Sequence, residues 1–322
     1  MRALQASICT IAIAMALSSS PGARSYATAN EAGALSAKVE ELYRVGKYIE
    51  ALPLAQKSLA LSEQQSGPDD ASVAMPLIDL GMIHYQLAQY PVAEALYKRS
   101  LSILERTVGP DHMKIGMALN NLGDLYRAEG RYGEAVSFLK RSIAMTEKLD
   151  GPSSLSIVTA LGNLAAVYSM QGHNDKAAPM FERGLAIIEK ARGPNDPEAT
   201  NLMSNLAVVY TEQNRLDEAA RLLRRSILIN SKANGPESAD IAQTQNNLAE
   251  IYSRQGRNAD AEYLFRKSAA MYEKTLGPDH PELAGVLSNL AGFYKDQGRF
   301  DEARLYMKRS MSIRAKAGPN PI

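Results

Sequence analysis

Cysteine is almost absent from this chain of 322 residues, since Cys9 is the only one. One cysteine cannot close a disulfide within the chain, and zinc sites of the cysteine type need several thiolates. Cys9 also lies in an N-terminal segment that we expect to be cleaved from the mature protein. The sequence therefore predicts a fold held by packing alone, without a thiol nucleophile or a cysteine-bound metal.

An excess of charge of either sign is missing too. Lysine and arginine number 36 and aspartate and glutamate 35, so the net charge is +1. Residues 1–27 contain Arg2 and Arg24 and no acid, and their removal leaves 34 bases and 35 acids. A nearly neutral chain has no general attraction for polyanions. We therefore expect no nucleic-acid partner.

The apolar run at residues 8–17 is too short to cross a membrane, which takes roughly 20 residues. It follows Arg2 and precedes small residues, as in a secretory signal peptide cleaved near Ala27 or Ala29. We therefore predict a signal peptide over residues 1–27 and an exported protein, periplasmic or secreted, that does not stay inserted in the membrane. The alternative is a segment that remains uncleaved as an anchor.

Patterns of catalytic and metal-binding residues are missing as well. The four histidines, His84, His112, His173 and His280, do not have the spacing of metal ligands. The chain also contains no GxSxG, no phosphate-binding glycine loop and no carboxylate pair set apart from the many surface acids. We predict a protein that is not an enzyme and uses no cofactor or metal.

What the sequence does contain is one unit, repeated. A Gly-Pro pair recurs in five steps of 42 residues and a last step of 41, with its glycine at Gly67, Gly109, Gly151, Gly193, Gly235, Gly277 and Gly318. An alanine recurs without exception at Ala51, Ala93, Ala135, Ala177, Ala219, Ala261 and Ala303. Repeats of this length indicate stacked units of secondary structure. They occupy almost all of the chain after residue 27 and leave no room for a catalytic domain.

Each unit has the pattern of two helices. In the last unit Pro281 suits the first position of a helix, and apolar residues follow at steps of three and four as far as Tyr294. Gly298 ends that helix, and a second begins near Asp301. No stretch alternates with the period of two that is typical of a strand. The sequence predicts an all-α protein in which helical hairpins stack on one another.

The spacing of Leu122, Tyr126, Ala135 and Ser142 resembles the signature of the tetratricopeptide repeat. The unit length and the GPDH loop are similar to those of kinesin light chains and their bacterial relatives, over residues from about 35 to 317. This resemblance implies an α-solenoid, a right-handed superhelix of antiparallel helix hairpins. Such repeats serve many partners, so the likeness is specific for fold and loose for function.

The two ends of the repeat array differ from its middle. Lys38 stands where leucine recurs, so we expect residues 28–66 to form a divergent capping repeat. Residues 67–322 then hold six further 42-residue units in one solenoid. The last unit has no extra polar helix after it, and we expect its second helix to leave an apolar flank open.

An asparagine recurs before a leucine in the first helix of five units, where it costs about 0.6 kcal/mol relative to alanine. The positions are Asn121, Asn163, Asn205, Asn247 and Asn289, and Asp79 continues the series. At 100° per residue, Asn247 lies with Gln243 and Arg254 on the side opposite to Leu248. The resemblance places first helices on the concave surface. We therefore predict a ladder of amides along a groove, where they bond to the backbone of an extended peptide.

Three other interpretations of this ladder remain open: a merely solvated row, a brace between adjacent repeats, and a residue copied by recent duplication. On the same side of these helices the early units carry Met75, Met82 and Met117, where the later ones carry Asn201, Gln243, Glu250 and Arg254. Methionine offers an adaptable apolar surface. We therefore expect an apolar anchor of the ligand on the early units and a polar stretch on the later ones.

A basic column recurs on the second helices, at Lys57, Arg99, Arg141, Arg183, Arg225, Lys267 and Arg309. Acids recur beside it, so a solvated outer face is favoured over a site for anionic lipid or nucleic acid. Taken together, these features favour a non-catalytic scaffold that holds an extended segment of a protein or peptide partner. The alternative is a structural module that forms a homodimer through its uncapped last helix.

Overall fold

Helices account for most of residues 21–317, the part of the chain that the computed structural model describes, with side chains from 31 to 316. No strand occurs in that part of the chain. The prediction of an all-α fold is confirmed.

The chain divides into two compact units after Pro152. The first contains the helices α1 Pro21–Arg44, α2 Tyr48–Ser66, α3 Ala74–Gln86, α4 Tyr90–Thr107, α5 Met113–Ala128 and α6 Tyr132–Asp150. The second contains α7 Val158–Met170, α8 Asn174–Arg192, α9 Ala199–Glu212, α10 Leu216–Asn234, α11 Ala239–Arg254, α12 Asn258–Leu276, α13 Pro281–Asp296 and α14 Phe300–Ala317. Short 3-10 turns at Ala71–Val73 and Leu155–Ile157 precede α3 and α7.

Consecutive helices pair as hairpins, α1 with α2, α3 with α4, and so on to α13 with α14. Within each unit the second helix of one hairpin also packs on the first helix of the next. The hairpins are therefore stacked in sequence order, because each first helix has an apolar stripe that only its neighbours can cover.

The predicted signal peptide lies mainly outside the described residues. Its last residues, from Pro21, form the start of α1, and the expected cleavage positions Ala27 and Ala29 fall inside that helix. Gly318 and the residues after it also lie outside the described part. The signal peptide, the capping repeat and the single solenoid stay predictions.

Polar side chains cap the first helices or the short 3-10 turns that lead into them. Asp70 accepts a hydrogen bond from the backbone N–H of Ser72 at 2.8 Å, and Ser238 accepts one from Ile241 at 3.2 Å. Histidine, which is not a usual cap, does the same at two loops: His112 Nδ1 accepts from Lys114 at 3.2 Å, and His280 Nδ1 accepts from Glu282 at 3.3 Å. The repeated loop histidine is thus explained by helix capping.

The two helices of a hairpin approach each other closely because the residues between them are small. The recurring alanines from Ala51 to Ala261 are all buried, and Ala303 in the last hairpin is half-buried. Gly123 shows how tight the contact is, since a Cβ added there would lie 2.5 Å from Leu139 Cγ. A larger side chain at these positions would force the helices apart.

A serine column fixes the register of the second helix on the first. Ser268 Oγ donates to the carbonyl oxygen of Ala242 at 2.6 Å, and Ser100, Ser142 and Ser310 make the equivalent bond. Ser226 is the exception, because its buried Oγ has no partner among the described residues. The equivalent carbonyl, that of Thr200, instead accepts from Ser204 Oγ at 3.0 Å.

Replacing Ser268 by alanine should lower the free energy of unfolding by about 1 kcal/mol, since a buried hydrogen bond is lost and a carbonyl is left unpaired. The matched change Ser226→Ala, 42 residues earlier, should leave stability unchanged or raise it, because that hydroxyl has no hydrogen-bond partner among the described residues. Urea unfolding followed by circular dichroism measures both. Equal losses in the two variants would show that the serine bond does not hold the register.

The basic column on the second helices joins neighbouring hairpins. Arg99 pairs with Glu63 at 2.7 Å and Arg225 with Glu189 at 2.6 Å, in each case across to the preceding second helix. Arg141 and Arg309 make equivalent pairs with Glu105 and Glu273. The column is partly exposed, as expected of a solvated face, but its pairing to the neighbouring hairpin was not predicted. Each such pair contributes little alone, about 0.2–1 kcal/mol.

A second contact between hairpins is centred on the turn after the first helix. Arg131 Cζ lies 4.1 Å from the centre of the Tyr126 ring, and its Nε donates to Glu134 at 2.7 Å. The Tyr126 hydroxyl donates to Glu94 of the preceding hairpin at 2.8 Å. The same arrangement recurs at Glu262, Tyr294, Arg299 and Glu302. The turn therefore ties three helices together.

Candidate functional site

The ladder residues all lie on first helices. In the second unit Asn163, Asn205, Asn247 and Asn289 lie on α7, α9, α11 and α13, and each of the first three helices contacts the next one in this series. In the first unit Asp79 and Asn121 lie on α3 and α5, which also touch. Each unit therefore has its own row of polar side chains on adjacent helices.

The side of α11 predicted to face away from the core is accessible. Gln243 and Arg254 are exposed and Asn247 is half-buried, whereas Leu248 is buried. Asn205 and Asn289 are exposed, and Asn121 and Asn163 are half-buried. The asparagines thus lie along the boundary between the packed and the open side of their helices.

A chain of hydrogen bonds links polar residues of α11, α12 and α13. The Tyr272 hydroxyl donates to Gln243 Oε1 at 2.9 Å, and Gln243 Nε2 donates to Asn247 Oδ1 at 3.0 Å. Asn246 Nδ2 also reaches Asn247 Oδ1, at 3.4 Å. Asn289 Nδ2 donates to Asn246 Oδ1 at 3.1 Å. The amides are therefore held in fixed orientations.

The bond from Asn289 to Asn246 crosses from one hairpin to the next, as in the bracing interpretation. Asn205 differs, since its side chain has no hydrogen bond with any of the described residues. Bracing therefore accounts for one rung of the ladder and does not account for another.

Two recesses open between these first helices in the second unit. The smaller, of about 70 Å³, lies between α9 and α11 and is lined by Ser204, Val208, Glu212, Asn247 and Glu250 among others. The larger, of about 350 Å³, lies beside α13 and is lined by Glu250, Ser253, Arg254, Phe265, Ser288, Asn289, Gly292, Phe293 and Asp296. Glu250 lines both, so the recesses are adjacent along the row.

Arg254 is held by acids on two helices. Its Nη2 lies 3.4 Å from Glu250 and 3.7 Å from Glu212, and its Nη1 donates to the carbonyl of Thr211 at 3.4 Å. These contacts occupy the guanidinium and bridge α9 to α11. The predicted role of Arg254 as a ligand contact thus competes with a structural one.

The first unit presents the predicted methionines on α3 and α5. Met75 and Met82 are half-buried, and Met117 is 44% exposed. On the same helix as Met75 and Met82, Gln86 Nε2 donates to the Tyr43 hydroxyl at 2.7 Å. The apolar anchor that these methionines were predicted to offer stays a prediction.

Asp79 is the one ladder position with a carboxylate, and its surroundings disfavour charge. Burial raises its pKa from 3.8 to about 6, and the negative charge of Glu40 adds to the effect. No ion pair to Asp79 occurs among the described side chains. Asparagine, which stands at the equivalent position of the later 42-residue repeats, has a similar shape and carries no charge that burial would disfavour.

Asp79→Asn should stabilise the protein at neutral pH. The folded state holds the Asp79 proton more tightly than the unfolded chain does, so its contribution to stability is present below about pH 4 and is lost as pH rises through about 6. We expect the free energy of unfolding of the variant, relative to that of the wild type, to rise by about 1–3 kcal/mol when the pH is raised from 4 to 7.5. Urea unfolding at the two pH values measures this gain.

Asp124→Asn is the matched control, because Asp124 pairs with Arg127 at 2.7 Å. The control should lose stability at pH 7.5 or leave it unchanged. A gain for Asp124→Asn equal to that for Asp79→Asn would contradict an effect specific to Asp79.

Sequence reasoning missed two buried amides, Asn246 and Gln245. Asn246 links the ladder of α11 to that of α13, and the pair Asn246-Asn247 was a visible signal for it. Gln245 stands where leucine recurs, as at Leu119 and Leu287, and its buried Oε1 has no partner among the described residues. Its place in the core is a cost to stability that the structure does not explain.

Within residues 21–317, no group of three or more metal-ligating side chains is close enough to hold an ion. Over the same residues, none of the helices is both long and apolar enough to span a bilayer.

Comparison with known families gives one match. The sequence profile of the tetratricopeptide repeat matches the chain five times, at residues 32–106, 72–148, 114–190, 156–232 and 240–316. No curated protein matches the chain.

Solved structures with the same fold include repeats of the kinesin light chain type. One is the structure of a Podosopora anserina protein of this type with nearly identical TPR-like repeats. It is 25% identical in sequence to this chain, covers 65% of this chain and 98% of its own, and gives a TM-score of 0.57. BtubC (BKLC) from P. vanneervenii is 18% identical, covers 92% and 95%, and scores 0.52. A tetratricopeptide repeat protein from Parabacteroides merdae is 17% identical, covers 91% and 95%, and scores 0.57. The last two likenesses show the fold alone.

Proposed function

Since the chain belongs to the tetratricopeptide repeat family, we propose that it is a non-catalytic scaffold that holds an extended segment of a protein partner. Such repeats generally mediate contacts between proteins, and the tetratricopeptide-type fold predicted from the sequence is confirmed. The right-handed superhelix and the export predicted from residues 1–27 remain part of this proposal.

The observation that carries the proposal is the row of amides and recesses on α9, α11 and α13. Asn205, Asn247 and Asn289 lie on three adjacent first helices, and the two recesses open beside them. An amide offers both donors and an acceptor, so a row of them bonds to a peptide backbone whatever its sequence. The recesses then receive side chains of the guest.

Asn205 gives the sharpest test, because its side chain is exposed and takes part in no hydrogen bond with the described residues. Peptides of twelve random residues, displayed on phage and selected on the full chain, provide the ligands. Asn205→Ala should weaken the selected peptides about fivefold to tenfold, as expected for one or two hydrogen bonds. Fluorescence anisotropy measures the affinity.

Asn258→Ala is the matched control, since Asn258 is an exposed asparagine at the start of the second helix α12. It should leave the affinity unchanged. Both variants should keep their helicity, and Asn205→Ala should be as stable as the wild type or more so, because alanine is the better helix former. Equal affinities of the wild type and Asn205→Ala for the selected peptides would contradict a role of the asparagine ladder in binding.

A second candidate function is self-association through α14. Met307 and Met311 are 39% and 64% exposed, whereas Phe265 and Ala269, at the same positions of the preceding second helix, are buried. Phe300, which lies on the same side of α14 as the two methionines, is exposed as well. An apolar face of this kind, unlike scattered single residues, is typical of a contact surface.

Sedimentation of the full chain separates this candidate from a monomeric scaffold. If α14 pairs with a second copy, the wild type should sediment as a dimer, and the double change Met307→Lys and Met311→Lys should give a monomer of unchanged helicity. Ser312→Lys provides the control: Ser312 is exposed and lies about 100° round α14 from Met311, so this variant should remain dimeric. A wild-type monomer at every concentration would rule out self-association.

A further inference from the structure

We propose that the larger recess beside α13 is a specificity pocket for a lysine or arginine side chain of the guest segment. This inference deepens the proposed function and rests on it. It names the chemistry of the residue that the scaffold selects, where the amide row alone accepts any sequence.

The floor of the recess is apolar. Phe265 and Phe293 are almost wholly buried, with ring centres 5.7 Å apart, and both line the recess. Lysine and arginine have long aliphatic stems that pack on such surfaces while the charged end stays near water. At about 350 Å³, the recess is at the lower end of the range of ligand pockets, roughly 300–1,000 Å³.

The rim of the recess carries more negative than positive charge. Among the described residues that line it, Glu250 and Asp296 are acidic and Arg254 is the only basic one. Arg254 is already engaged by Glu250 and by Glu212 just outside. Asp296 is exposed at the end of α13 and has no ion pair among the described side chains. An incoming cation would therefore meet a carboxylate without a partner, which favours a basic over an acidic or neutral side chain.

Glycine at position 292 keeps the recess open. Gly292 lies inside α13, where glycine costs about 1 kcal/mol relative to alanine. No heavy atom lies within 4 Å of a Cβ built there, so packing does not demand the glycine. The same position in the neighbouring first helices carries Val208 and Glu250. Because Gly292 lines the recess, a side chain there would project into it.

Gly285 gives a matched position for testing this idea. It lies two turns earlier on the same helix, also has no heavy atom within 4 Å of a built Cβ, and does not line the recess. Leucine at either glycine should improve the helix. Only leucine at position 292 should fill the recess.

The test is an NMR titration of the ¹⁵N-labelled full chain with the tripeptide Ac-Gly-Arg-Gly-NH2. We expect saturable shifts of backbone amides at residues 250–254 and 288–296, with an affinity at least fivefold higher than for Ac-Gly-norleucine-Gly-NH2. Gly292→Leu should abolish the shifts and Gly285→Leu should keep them. Asp296→Asn, an exposed change that leaves the core intact, should weaken the arginine peptide about threefold or more and leave the norleucine peptide unaffected.

Several results would overturn the inference. These are an absence of shifts in the two ranges, equal affinity for arginine and norleucine, or binding that survives Gly292→Leu. If the displayed peptides nevertheless bind and respond to Asn205→Ala, the scaffold function stands and only the pocket assignment fails. If the displayed peptides do not depend on Asn205 while the arginine tripeptide still saturates the recess, the extended-groove function fails instead.

Discussion

Everything in this fold depends on how closely the two helices of each hairpin approach. Alanine from Ala51 to Ala261 and glycine at Gly123 leave no side chain that could separate them. The serine column then fixes the register, since every serine of the column named above except Ser226 donates to a carbonyl oxygen of the partner helix. With separation and register set inside the hairpin, the larger apolar residues are left to pack between hairpins. The stack therefore repeats with little variation, and one side of each first helix stays uncovered.

Polar side chains, which would be costly in the core, lie on that uncovered side of the first helices. Asn247 and Asn289 accept a helix cost of about 0.6 kcal/mol each, and part of it is recovered through Asn246, which bonds to both. Bracing and ligand binding are thus not exclusive roles. An amide has more hydrogen-bonding groups than a brace uses, and a braced amide loses less entropy when a guest binds.

Much of the fold could be predicted because its signals are local. The Gly-Pro loops and the recurring alanines are visible when the 42-residue repeats are compared, and the helical period from Leu283 to Tyr294 is visible within one repeat. The bond from Asn289 to Asn246 could not be predicted, since it depends on side-chain rotamers in two hairpins. The raised pKa of Asp79 likewise depends on its burial and on Glu40 of the preceding hairpin. The larger recess is lined by Gly292 together with Phe265 and Phe293, and a glycine in a helix does not reveal in the sequence which neighbouring side chains it leaves uncovered.

The direction of the hydrogen bonds in the amide row decides which donor and acceptor atoms of the asparagines a guest would contact. Asn247 uses its Oδ1 as the acceptor for both Gln243 and Asn246, and its Nδ2 takes part in neither bond. Asn289 uses its Nδ2 as a donor to Asn246, and its Oδ1 takes no part in that bond. Adjacent rungs therefore differ. Asn247 is held through its Oδ1, which leaves its Nδ2 donor outside these bonds, and Asn289 is held through its Nδ2, which leaves its Oδ1 acceptor outside this bond. An extended backbone also presents alternating carbonyl and N–H groups, so a row oriented in this way suits a peptide better than it suits a helix, whose backbone groups bond to one another.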